Sequence, residues 1–221
     1  MNILGIDTAT AASAACVLRE DGRSFEVVPS AEDLQAPPAH SRELMPAVAR
    51  CLEEAGLGYA DLDVVAVGAG PGAFTGLRIG VASARGLARA HDLELRAVSS
   101  LAALAHEIEE PVALPLIDAR RGQLFAALYV EGAERVPAFA ARPEDVAARI
   151  REMGANPLAA GDGSVRFRDV LETAGIRVAP AGSRTHVVRG LSVCRLASTV
   201  GPTPLEAVLP DYLRLPDAKP L

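Results

Sequence analysis

Apolar residues along the first hundred positions switch between a period of two and a period near 3.6, which lays out strands and helices in turn. Short apolar runs at Asn2 to Ile6, Ser13 to Leu18 and Ser24 to Val28 predict three strands. Asp21-Gly22 between the last two predicts a hairpin, because glycine accepts the positive φ of a tight turn. Ala31 to Ala39, with Pro37 and Pro38, predicts a loop. A helix follows from about Ser41 to Ala55, with Leu44, Val48, Leu52 and Ala55 on one face, Pro46 near its start and Gly56 as its stop. Asp63 to Val67 reads as a buried strand, and the glycine-rich loop Gly68 to Gly76 leads into a second helix reaching about Ala90. Leu93 to Val98 predicts a strand, Ser99 or Ser100 a capped helix through Ile108, and Val112 to Ile117 a further strand. This alternation implies a mainly parallel sheet flanked by helices.

The rest of the chain echoes the start. Ile6-Asp7 followed by the strand Ser13 to Leu18 is matched by Ile117-Asp118 followed by the strand Leu124 to Val130. Two lobes of similar topology account for the echo, residues 1–99 and 100–221. The second continues with a helix near Pro143 to Met153, a strand Leu158 to Ala160, a turn Gly161-Asp162-Gly163, a helix Val165 to Ala174 and another at about Val187 to Val200.

Composition narrows the classes. Half of the 221 residues are apolar, enough for a real core, and no apolar run approaches the ~18 residues of a membrane span. The run Ile3 to Ile6 stops at Asp7 with no basic segment before it, which argues against a signal peptide. Cys16, Cys51 and Cys194 are odd in number, widely spaced and set in apolar patterns, reading as buried thiols in a reducing, cytoplasmic setting. The formal net charge is -6, with Lys219 the only lysine. A protein gripping nucleic acid alone would need a basic face to neutralise phosphates. Arg78, Arg85 and Arg89 recur along one predicted helix and read either as a local patch or as a solvated face.

At MNILGIDTAT the sequence resembles the superfamily of actin, heat-shock ATPases and sugar kinases, in which two ribonuclease-H-like lobes face each other across a nucleotide cleft. At HSRELMP (His40 to Pro46), GAGPGAFTGLRIGVASARGLA (Gly68 to Ala88), VSSLAALA (Val98 to Ala105) and IDARRGQLFAALY (Ile117 to Tyr129) it resembles the TsaB (YeaZ) family specifically. The second half adds only GDG at Gly161 to Gly163 and PDYLR at Pro210 to Arg214. Ala73 stands where that family commonly has serine, and Gln123-Leu124-Phe125 where a glutamate, an apolar residue and an aromatic are frequent. The resemblance implies α/β architecture with two actin-like lobes of mixed sheets. It also implies an accessory, non-catalytic subunit without a cofactor of its own. Such a subunit binds the catalytic subunit TsaD, with the ATPase TsaE joining the pair, in making threonylcarbamoyladenosine beside the tRNA anticodon. tRNA would be met mainly through the complex, and a homodimer is compatible with this reading.

The candidate chemistry is sparse. Nucleotide-binding members of the superfamily place glycine two residues after the first aspartate, where this chain has Ala9, whose methyl crowds a phosphate. Asp7 and Asp118 form a candidate vestigial nucleotide or magnesium site; the other reading has each carboxylate accepting from the amides of its own turn. The amides of Gly70, Gly72 and Gly76 at a helix start suggest an anion site, although no P-loop lysine follows. Gly76, Gly80, Ala84 and Ala88 recur every four residues as a smooth stripe, which admits either a partner's helix or the chain's own sheet. The resemblance favours a partner, since these two helices are the TsaD-facing surface of the family. Leu44, Val48, Gly76, Leu77, Gly80, Val81 and Ala84 are thus the interface candidates, although Leu44 and Val48 could equally face the chain's own core. His40, His91, His106 and His186 are too far apart in sequence for a helical metal pair, and His40 reads as a surface or capping residue. No Ser-His-Asp or Cys-His set can be assembled. An autonomous kinase or ATPase is the alternative function, with a metallopeptidase behind it.

Overall fold

A computed structural model describes residues 1–213. The last residue of the PDYLR echo, Arg214, and Lys219 lie outside the described residues. The first sheet takes β1 (Ile3–Asp7), β2 (Ala14–Leu18), β3 (Ser24–Val27), β4 (Val64–Gly68) and β5 (Glu94–Val98), in the order β3-β2-β1-β4-β5. The second takes β6 (Val112–Arg120), β7 (Gln123–Val130), β8 (Ala133–Ala141), β9 (Leu158–Ala160) and β10 (Arg177–Val178), in the order β10-β9-β6-β7-β8. Read from the other edge, the second order is the first again, so the faint echo in the sequence is a structural repeat.

Neither sheet is mainly parallel. β1, β2 and β3 pair antiparallel, as do β6, β7 and β8, while β1, β4 and β5 and β6, β9 and β10 pair parallel. Short turns can only return a strand antiparallel, and a helical crossover is needed to bring one back parallel. The crossovers are α1 (His40–Ala55) and α2 (Phe74–His91) in the first half, and α4 (Pro143–Glu152), α5 (Asp162–Arg166) and α6 (Arg168–Thr173) in the second.

Three elements depart from the sequence expectations. β8 occupies a stretch where no strand was expected: it is an edge strand with Val136 alone fully buried and Pro137 inside it, which an edge tolerates. The single helix expected over Val165 to Ala174 breaks at Phe167 into α5 and α6, and Asp162 and Gly163 open α5 instead of forming a free turn. The two-residue β10 carries too little pattern to read.

Two helices exchange lobes. α3 (Ser100–Ala105), capped by the Ser99 hydroxyl, follows the first sheet yet packs on β6 and β7. α7 (Gly190–Ala197) follows the second sheet yet packs on β1, β2, β4 and β5. The central core between the sheets therefore joins Ile3, Cys16 and Leu77 to Leu101, Leu104, Ile117, Phe125 and Cys194. Outer cores sit under α1 and α2 on one side and under α4 and α6 on the other. Each fully buried leucine or isoleucine in these layers contributes about 2 kcal/mol of transfer free energy. Glu26 of β3, its side chain buried, pairs with Arg189 and accepts from the Leu191 amide at 3.0 Å, fixing the start of α7. The three cysteines are buried free thiols. Beyond α7 the chain returns along the first lobe, with Thr203 N donating to Leu95 O and Asp211 N to Ala69 O, both at 2.7 Å.

Candidate functional site

Asp7 ends β1 under a cover made by its own chain. Its Oδ1 accepts from Ala9 N at 2.7 Å and its Oδ2 from Ser100 Oγ at 2.6 Å. Removal from water outweighs these two bonds and pushes the carboxyl up to about 6. The glycine-rich loop lies directly on the β1–β2 turn: Ala73 N donates to Ala9 O at 2.7 Å, and a Cβ on Gly72 would stand 2.5 Å from that of Ala9. No side chain but hydrogen fits at Gly72, and the Ala73 amide is spent on the Ala9 carbonyl.

Asp118 repeats the local bond, its Oδ1 accepting from Arg120 N at 2.9 Å. In both lobes, then, the carboxylate bonds the amide two residues on. The surroundings differ, because Asp118 Oδ2 takes Arg120 and Arg166 guanidinium N–H groups, each at 3.2 Å. Asp162, opening α5, accepts from the Asp118 and Gly163 amides at 3.0 and 2.9 Å, and burial pushes it up to about 6. Asp118, Arg120, Asp162 and Arg166 form one wall of an interlobe cleft of ≈ 490 Å³ whose other wall is the loop 31–38. A magnesium-nucleotide complex does not fit these residues: a cation at Asp118 would have to displace two guanidiniums, and Asp7 has both oxygens bonded and no open side.

All seven residues expected at a partner surface are buried within the chain. Leu44, Val48, Val81 and Ala84 belong to the core beneath α1 and α2, and Leu77 to the central core. Gly76 and Gly80 back onto Thr8, whose hydroxyl donates to Gly76 O at 2.8 Å; a Cβ on either glycine would overlap a Thr8 oxygen. The small-residue stripe thus lets α2 ride close over the β1–β2 turn. The outward faces of the two helices carry other residues, including Met45 and Phe74, 40% and 37% exposed. Arg78 stacks over the Phe74 ring at 3.9 Å and donates to Tyr212 Oη at 2.9 Å, so this arginine is bound into a local aromatic cluster.

His40 differs from its expected surface role. It is the first residue of α1 and only 4% exposed, with Nδ1 2.8 Å from Ser13 Oγ; burial pulls its pKa down, against a hydrogen bond to the Thr10 backbone. Nothing in the sequence ties His40 to Ser13, which is far away along the chain. Among the described residues no group of three or more His, Cys, Asp or Glu is placed to hold a metal ion, and no helix is long and apolar enough to cross a membrane.

The model of the family described as TsaD, tRNA N6-adenosine threonylcarbamoyltransferase, matches residues 27–221. The tRNA threonylcarbamoyladenosine biosynthesis protein TsaB of Bacillus subtilis is 30% identical, over 99% of this chain and 96% of its own length. The Escherichia coli protein of the same name is 31% identical over 80% of this chain and 78% of its own. A Mycobacterium leprae protein is 33% identical over 99% of this chain, which spans 56% of that longer relative. The solved structure of YeaZ from Pseudomonas aeruginosa superposes with a TM-score of 0.75 at 28% identity, covering 96% of this chain and all of the other. With the Bacillus subtilis TsaB matched over nearly the full length of both chains and the YeaZ structure superposing on almost all of this one, the chain belongs to the TsaB (YeaZ) family.

Proposed function

We propose that this chain is a non-catalytic subunit in tRNA threonylcarbamoyladenosine synthesis, docking on a TsaD-like transferase that a TsaE-like ATPase joins. The observation that carries the non-catalytic part is the sealed aspartate. Asp7 spends both oxygens on Ala9 N and Ser100 Oγ, and the glycine-rich loop is closed on Ala9. On this reading, groups that nucleotide-binding members of the resembled superfamily turn toward phosphate serve here as internal fastenings.

The docking surface is the outward face of α1 and α2. Met45 and Phe74 stand exposed there, and the buried residues Leu44, Val48, Gly76, Leu77, Gly80, Val81 and Ala84 set how closely the two helices lie on the sheet. A homologous surface can also meet its own copy, so a homodimer without the partner is consistent with this reading. With a net charge of -6, tRNA is held mainly through the complex, in the cytoplasm.

Light scattering of the chain alone and mixed with a TsaD-like protein of the same organism tests this. A 1:1 complex is expected, lost in Met45→Arg or Ala82→Arg at unchanged melting temperature, since both positions are exposed. Should the chain form no complex and hydrolyse ATP alone, it is an autonomous ATPase or kinase. Should it transfer the threonylcarbamoyl group unaided, the non-catalytic assignment fails.

A further inference from the structure

The returning segment 208–212 is strapped across part of the outward face of α2. Val208 is buried in the core beneath α1 and α2, and Asp211 N donates to Ala69 O at 2.7 Å. Tyr212 then lies on the first turns of α2: its ring centroid is 5.1 Å from that of Phe74, and its hydroxyl accepts from Arg78 Nε at 2.9 Å. Beside these anchors a groove of ≈ 640 Å³ runs between strap and helix. Val81 and Ala82 line it from α2, and Leu209, 62% exposed, lines it from the strap.

Arg78 and Arg85, two turns apart, give this apolar groove a cationic rim. No acidic residue lines it, and α2 carries none along its whole length. Arg78 is engaged by two aromatic rings and a hydroxyl rather than by a carboxylate. Among the described residues Arg85 has no carboxylate partner, and the exposed Asp211 of the strap pairs with neither arginine.

Such a surface is complementary to a segment that presents an apolar side chain beside carboxylates. A phosphate backbone has no apolar surface to cover Val81, Ala82 and Leu209, and a chain of net charge -6 lacks the wide basic balance that nucleic acid calls for. Two copies packed through α2 would set arginine against arginine. A different protein bringing acidic side chains meets none of these costs.

We infer that this groove takes an acidic segment of the docking partner, its carboxylates at Arg85 and Arg78 and an apolar side chain seated between Ala82 and Leu209. The inference rests on the reading that the outward face of α1 and α2 is the docking surface, and adds to it the strap and a charge signature for the partner.

Calorimetry with the TsaD-like protein of the same organism, at two ionic strengths, compares wild type with Arg85→Ala, Arg85→Glu and Leu209→Ser. Both positions are at least partly exposed, so melting temperatures should be unchanged. Arg85→Ala should weaken binding about tenfold and flatten its salt dependence, and Arg85→Glu about a hundredfold, as a charge-assisted bond is lost and then replaced by repulsion. Leu209→Ser should weaken it about fivefold as apolar contact is lost. The inference is overturned, with the docking reading intact, if the wild-type complex forms and either Arg85→Glu or Leu209→Ser binds as tightly as wild type. It is equally overturned if Arg85→Glu weakens only self-association in light scattering, or only tRNA retention, since the groove then faces a second copy or nucleic acid. A wild-type chain that forms no complex removes the docking reading itself, and this inference with it.

Discussion

The two lobes share one strand order, yet they treat the aspartate at the end of their first strand in opposite ways. In the first lobe Asp7 is sealed by a helix start and a glycine loop, and its charge is disfavoured. In the second, Asp118 stays at the cleft wall between two arginines, and the carboxyl that burial pushes up is Asp162, one strand over. A repeated topology therefore fixes where carboxylates can stand, while the segments after β4 and β5 in one lobe and after β9 in the other decide what each one does. The glycines at those two strand ends differ in the same manner. A Cβ on Gly68 would overlap Asp7 Oδ2, a side-chain atom, whereas one on Gly161 would overlap the Leu116 carbonyl at a backbone φ of +113°.

Substitutions at these paired places would break the comparison or sharpen it, and the largest effect belongs to the second lobe. Gly161→Ala meets backbone and adopts a strained φ, so a loss of about 4 kcal/mol in urea unfolding is expected. Asp7→Asn comes next and is read through pH. With the folded carboxyl at about 6 against 3.8 unfolded, the native state binds the extra proton, so its stabilising effect is full below about pH 4 and lost as pH rises through 6. Wild-type stability should fall by about 3 kcal/mol from this group between pH 3 and pH 7, and Asp7→Asn should flatten that part of the slope. Asp162 has the same sign, so a residual fall in the Asp7→Asn protein that vanishes in the Asp7→Asn/Asp162→Asn double variant would divide the effect between the lobes. Gly68→Ala should cost about 2 kcal/mol, less than Gly161→Ala, because a carboxylate can swing aside where a carbonyl cannot. Equal losses at the two glycines would mean that Asp7 is as immovable as backbone. Smallest is Asp118→Asn, whose guanidinium partners are half exposed: below about 1 kcal/mol by thermal melting.

Much of the fold could be read from the chain. Period-two runs separated by DG or glycine-rich loops locate β1 to β7, and the faces Leu44-Val48-Leu52 and Gly76-Gly80-Ala84 locate α1 and α2, because a half-buried element must repeat its apolar residues at its own period. β8 escaped because an edge strand buries little and keeps a proline, so its pattern is faint. The break at Phe167 escaped because the periodic signal runs on through it.

The candidate site was less legible. Asp7 and Asp118 stand out by their place after apolar strands, and the bonds to the amides two residues on are local, so they could be anticipated from type and spacing alone. What covers Asp7 is Ser100, and what bonds His40 is Ser13, pairings that exist only once the sheet and the returning helices are assembled. The stripe on α2 illustrates the same division. Sequence determined that α2 has one side smooth enough for close approach, since small residues every four positions allow it whatever lies opposite. Tertiary structure decided that Thr8 of the same chain lies opposite, because the β1–β2 turn reaches that face first and leaves Met45 and Phe74 outward.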